Sequence, residues 1–137
     1  MYLLDTNICI YLIKKKYPTL IEKVLEKDTF NIAISAVTVA ELEYGIAKSF
    51  YPKKNRDTLL EFLAPFEIIP FSEKDCENFG FLRVFLNKKG TPIGPYDLQL
   101  AAQCISRDLC IVTNNVKEFE RVPEIKIENW IVEPNIT

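Results

Sequence analysis

The stretch YLLDTNICIYLI, residues 2–13, decides how the chain is read. A short apolar run ends at Asp5-Thr6-Asn7, three residues that all cap helices well, and an apolar segment follows at once. Strand, polar turn, helix is the economical interpretation. NIAI at 31–34 reads as a second, buried strand, with Ser35 capping the helical segment AVTVAELEYGIAKS. EIIPF (67–71), LCIV (109–112) and IKI (125–127) supply three more strands. Helices are expected over about 18–27, through RDTLLEFLAPF, from Ser72-Glu73-Lys74-Asp75 to about 88, from Pro95 to about 107, and briefly over 114–120. Short apolar strands alternating with helices predict an α/β sandwich around a mostly parallel five-stranded sheet. Such sheets bind ligands beyond the carboxyl ends of their strands, where strand order reverses, and both Asp5 and Thr113-Asn114-Asn115 follow a strand at that edge.

The bulk numbers bound the answer. At 137 residues one domain spanning 1–137 is expected, large enough to bury about two-thirds of its unfolded surface. Hydrophobic residues make up 48% and charged residues 26%, an ordinary globular composition with no low-complexity tract. The apolar runs are too short to cross a bilayer, and an acid interrupts the N-terminal one before its lysines, the reverse of a secretory signal; the cytoplasm is the expected compartment. Cys9, Cys76, Cys104 and Cys110 have neither zinc-ribbon nor disulfide-framework spacing and read as reduced thiols, buried or partly buried. The formal charge is −2. Setting four candidate site acids aside leaves 17 basic against 15 acidic residues, so a polyanionic substrate reached through a metal is compatible with the balance, whereas a strongly basic general binder is not.

Those four acids are Asp5, Glu41, Asp97 and Glu118. Carboxylates gathered without cations repel one another, which raises their pKa values or loosens the fold unless a cation neutralises them. With oxygen ligands and no histidine in the chain, Mg²⁺ or Mn²⁺ suits them better than zinc. Each acid also has an ordinary reading. Asp5 either caps the first helix or points into a crevice, although one cap suffices and here three oxygen-bearing side chains stand together. Glu41 lies within a helix, where periodicity does not separate it from Glu43. Asp97 sits in the first turn after Gly94-Pro95, where the helix dipole alone favours an acid. Glu118 would be an ordinary exposed residue, with Thr113 and Asn115 as nearby neutral oxygens. The lysines and arginines are dispersed, most of them solvated, a few available to line a groove. Tyr11, Tyr44, Phe50 and Tyr51 are expected to pack in the core rather than line a partner's groove.

Taken together, LLDTNICIYL, ISAVTVAELEYG, GTPIGPYDLQLAA and IVTNNVKEFERV resemble the PIN domain, and within it the VapC toxins of bacterial type II toxin-antitoxin pairs, in the family's order and over residues 1 to about 130. The resemblance implies a PIN-like three-layer sandwich and a Mg²⁺- or Mn²⁺-dependent endoribonuclease acting on RNA, with tRNA as the family-level substrate. It also implies silencing by a VapB-type antitoxin and a homodimer. It assigns site roles to Asp5, Glu41 and Asp97. Many PIN proteins carry a fourth acid two residues after the threonine of the last motif; here that position is Asn115, and Glu118 matches relatives ending TNNxxEF. Thr6 and Thr113 become supporting hydroxyls, Asn7 and Asn115 polar neighbours, with Asp5 and Asp97 as direct metal ligands. Without histidine, hydrolysis near neutral pH needs another source of activated water, which a bound metal provides by lowering the water's pKa. A HAD-type phosphotransferase would want a second Asp where Asn7 stands, and a receiver domain wants an Asp after the third strand that EIIPFSEK does not offer. A catalytically inactive PIN-like module binding RNA or protein is the remaining alternative.

Overall fold

The computed structural model describes residues 1–131; residues 132–137, the end of the expected domain, lie outside the described residues. Five strands, β1 (Tyr2–Leu4), β2 (Ile32–Ser35), β3 (Glu67–Ile69), β4 (Cys110–Val112) and β5 (Lys126–Glu128), pair in the order β3-β2-β1-β4-β5, every pair parallel. The chain therefore builds outward from β1 through β2 to β3, then returns to place β4 on the other side of β1. That reversal opens a crevice between the carboxyl ends of β1 and β4.

Among the described residues seven α-helices cover the sheet: α1 (Thr6–Ile13), α2 (Pro18–Glu26), α3 (Ala36–Ala47), α4 (Pro52–Leu63), α5 (Glu73–Lys88), α6 (Pro95–Arg107) and α7 (Val116–Phe119). Side chains alternate faces along each strand, so neighbours in sequence enter different cores. Leu3, Ala33 and Ile111 pack with Leu82, Leu86, Leu98 and Ala101 of α5 and α6, while Leu4, Ile32, Ile34 and Val112 pack with Ile8, Leu20, Leu42 and Leu59 of α1 to α4. Two apolar cores on opposite sides of a parallel sheet make the three layers.

The expected elements form, with shifted ends. β2 begins at Ile32 rather than 31 because a 3₁₀ turn over Thr29–Asn31 precedes it. α4 begins at Pro52, ahead of the expected RDTLLEFLAPF, since proline fits the first helical position. β3 ends at Ile69 because Pro70 has no N–H to continue a ladder. The cysteine expectation fails at Cys76, which is exposed on α5, whereas Cys9 and Cys104 are buried and Cys110 is half-buried. No helix among the described residues is long and apolar enough to cross a membrane.

The sequence reading missed one charged network. Fully buried Asp75 closes a capping box with Ser72, accepts a short hydrogen bond from Ser106 and pairs with Arg107 at 3.3 Å, joining the start of α5 to the end of α6. Burial pushes the Asp75 pKa up, but these hydrogen bonds outweigh it and the net direction is down. The network fixes α6, whose other end carries Asp97.

Candidate active site

Asp5 caps α1 and also reaches across the switch point, without lining the crevice itself. Its Oδ1 accepts the Ile8 N–H at 2.8 Å and so caps α1, while Oδ2 accepts the Thr113 hydroxyl at 2.5 Å across the switch point. The residue is 3% exposed. Burial raises its pKa, the hydrogen bonds from Thr113 and Ile8 pull it down, Glu41 pushes it up, and the net direction is up. Thr113 is itself fully buried, and its Oγ accepts the Asn115 N–H at 2.9 Å. A Thr113→Val variant keeps the shape and removes both bonds. We expect it to lose about 1–3 kcal/mol in urea unfolding, the cost of leaving buried polar groups unpaired. A loss below a few tenths would show that the hydroxyl is not what holds Asp5.

Thr6 reaches from α1 to α3, donating its hydroxyl hydrogen to Glu41 Oε1 at 2.8 Å. Its 3.0 Å contact with the Thr38 hydroxyl must then be donated by Thr38. Thr38, fully buried one turn before Glu41, escaped the sequence reading; its only signal is that i, i+3 spacing. The ambiguity between the two glutamates is settled by partners. Glu43 takes both its oxygens to Arg56 Nε at 3.2 Å on the outside of the α3–α4 pair, whereas Glu41 faces the crevice.

Asp97 occupies the first turn of α6 behind Gly94-Pro95. Glu118, on the short α7, is anchored at both oxygens: Oε1 accepts the Gly94 N–H at 2.9 Å, and Oε2 accepts a short hydrogen bond from the Asn115 amide. Asn115 thus holds the acid three residues on. Gly94 was missed, because a backbone donor leaves no mark in sequence. Asp97 and Glu118 meet carboxyl to carboxyl, and the Asp97 pKa rises to about 7, first through burial, then through Glu118, Asp5 and Glu41. The other three predicted acids therefore all act on the Asp97 carboxyl.

Glu41 and Asp97 line a crevice of ≈ 790 Å³ together with Thr6, Asn7, Lys14 and the apolar Ile10, Ile13 and Leu42. Asp5 and Thr113 lie buried behind that lining, and Glu118 and Asn115 lie beyond Gly94. Among the described residues no lysine or arginine forms an ion pair with any of the four acids. Among the same residues no three acids draw together into a ready-made cation cage. The donor set is nevertheless all oxygen, and two carboxyls in contact favour either a shared proton or a cation. It fits a hard cation that keeps most of its water and takes one or two carboxylates directly.

The aromatic expectation holds only for Tyr11, which packs edge-on against Tyr17 beside the second core. Tyr44, Phe50 and Tyr51 are 68%, 98% and 71% exposed. Tyr44 stands near the end of α3, and Phe50 and Tyr51 fall in the α3–α4 turn, outside both cores.

A parallel sheet with acids drawn from four separate segments to its switch point defines a class of α/β domain built around an acidic crevice. The family model described as the PIN domain matches residues 2–125. The chain belongs to the PIN-domain family, on its VapC branch. It is 44% identical to Ribonuclease VapC2 of Rickettsia felis, covering 95% of this chain and 98% of that one. Identity is 41% to the tRNA(fMet)-specific endonuclease VapC of Salmonella typhimurium, with 94% and 97% covered. The fold matches the crystal structure of VapBC2 from Rickettsia felis bound to a DNA fragment from their promoter with a TM-score of 0.88 at 42% identity, over 94% of this chain and 98% of that one.

Proposed function

We propose that this chain is a Mg²⁺- or Mn²⁺-dependent endoribonuclease acting as the toxin of a type II toxin-antitoxin pair. The observation that carries the reading is the meeting of the Asp97 and Glu118 carboxyls beside the crevice that Asp97 shares with Glu41, with no paired cation among the described residues. The ribonuclease names of the VapC relatives support it. Asp5 and Asp97 would hold the ion, and Glu41 and Glu118 would complete the site or orient the attacking water. When bound, the ion supplies an acidified water and positive charge against the phosphate. The chain's own residues do the positioning. Thr6 and Thr38 hold Glu41, Thr113 holds Asp5, Asn115 and Gly94 hold Glu118, and Asn7 adds a polar group at the mouth. The substrate is RNA, with tRNA favoured by the Salmonella relative's name, and the cognate partner a VapB-type antitoxin, favoured by the VapBC complexes among similar structures. We place the chain in the cytoplasm as a single domain and a homodimer.

The test is incubation of the purified protein with total cellular RNA in Mg²⁺ or in EDTA, followed by mapping of the new ends. Discrete cuts only with the metal are expected, and cleavage indifferent to EDTA would overturn the reading. Glu41→Gln should lose about 10–100-fold in kcat/KM, and Glu43→Gln should stay within about twofold because its carboxylate faces Arg56. Equal losses in the two variants would remove Glu41 from the site.

A further inference from the structure

We propose that the α3–α4 hairpin is a platform on which unpaired bases of the RNA substrate stack, beside the acidic crevice. The proposal rests on the ribonuclease reading and extends it to a second binding surface. Residues 44–56, YGIAKSFYPKKNR, carry Lys48, Lys53, Lys54 and Arg56 and no acid, in a chain whose formal charge is −2. Tyr44, Phe50 and Tyr51 expose most of their rings there, with no core to gain. Lys48 Nζ stands 4.8 Å from the Tyr44 ring centre, and Arg56 is taken up by Glu43. Lys48, Lys53 and Lys54 have no carboxylate ion pair among the described residues.

The position is as informative as the composition. Ser49, Asn55 and Thr58 of the hairpin line the crevice that holds Glu41 and Asp97. Thr58 also lines a shallow depression with Tyr51, Lys53 and Lys54 on the outer side of α4. Thr58 is common to both, so the depression carrying Tyr51, Lys53 and Lys54 adjoins the crevice of the acids at α4. Asp57 and Glu61 border the depression as well, so that wall is close to balanced in charge. The ring faces of Phe50 and Tyr51 would then carry affinity, and the three lysines would guide the backbone. Aromatic faces beside lysines suit single-stranded RNA, whose bases are free to stack. Duplex RNA keeps its base faces covered, and protein interfaces are poor in lysine.

Fluorescence anisotropy in EDTA, with labelled oligouridine and with duplex RNA of equal length, reads this surface without cleavage. The wild type should bind the single strand more tightly. Phe50→Ala with Tyr51→Ala should weaken that binding about tenfold or more. Lys53→Ala with Lys54→Ala should lower the slope of log affinity against log salt by about 1.4. Both variants alter exposed residues, so their melting temperatures should match the wild type. In Mg²⁺ the aromatic variant should raise KM for RNA with kcat unchanged. Unchanged affinity and salt slope in both variants would overturn the platform, as would equal wild-type binding to duplex. Sedimentation showing that the aromatic variant loses self-association while its RNA binding is intact would give the face to a second copy and overturn it too. Absence of metal-dependent cleavage by the wild type would instead sink the ribonuclease reading, since the binding measurement does not depend on it.

Discussion

Asp5→Asn should reduce RNA cleavage about 10³-fold while the metal-free protein melts no lower than the wild type. The carboxylate is 3% exposed, its burial is the largest influence on its pKa, and Glu41 adds repulsion. An amide at this position keeps the acceptor that caps Ile8 and offers the Thr113 oxygen a donor in place of an acceptor, so the local frame survives. What disappears is the negative charge, and with it any hold on a divalent ion from β1. The measurement is paired: kcat/KM on RNA in Mg²⁺, and thermal melting in EDTA. Full activity would refute the assignment of Asp5. A melting temperature far below that of the wild type would mean that the loss reports unfolding rather than chemistry.

Asp97→Asn should raise the stability of the metal-free protein at neutral pH and flatten its pH dependence. The sign follows from the proton count. Asp97 titrates near 4 when unfolded and at about 7 when folded. Between those values the folded chain holds a proton that the unfolded chain has released. Stability is therefore greatest at low pH in this respect and falls as pH climbs toward 7. Asp97 is only half-buried, and solvent screens part of the repulsion, so about 1–2 kcal/mol, or roughly 3–8 °C in Tm, is the expected gain. Melting in EDTA across this pH range checks the slope. Adding Mg²⁺ or Mn²⁺ should then raise the wild-type Tm and leave Asp97→Asn nearly unmoved, because a ligand stabilises only the state it binds. A variant with the wild-type slope, or an equal response to metal, would show that Asp97 is not the carboxyl under strain.

Much of this was legible in the chain, for identifiable reasons. The strands were readable because a parallel sheet buried on both faces demands unbroken apolar runs, and YLL and CIV are such runs. Asp5 and Thr113 were readable because oxygen-bearing side chains cluster where those runs stop, whereas Glu41 and Glu118 were singled out by the family resemblance. Partners were not. Thr38 looks like any helical threonine, Gly94 acts through its backbone, and the Asp75–Arg107 pair spans 32 residues of sequence. Tyr44 was misjudged because helical periodicity carries no information on where α3 leaves the core. Phe50 and Tyr51 were misjudged because hydrophobicity predicts burial only where some surface is present to receive it.

The return of the chain to set β4 against β1 has a consequence for synthesis. A ribosome that has delivered α1 and α3 has already made Asp5 and Glu41, yet Thr113 and Glu118 do not exist until the final fifth of the message is read. Truncated translation products therefore lack the hydroxyl that steadies Asp5 and the acid that presses on Asp97. On the ribonuclease reading, the order of the strands alone would spare a cell an active fragment.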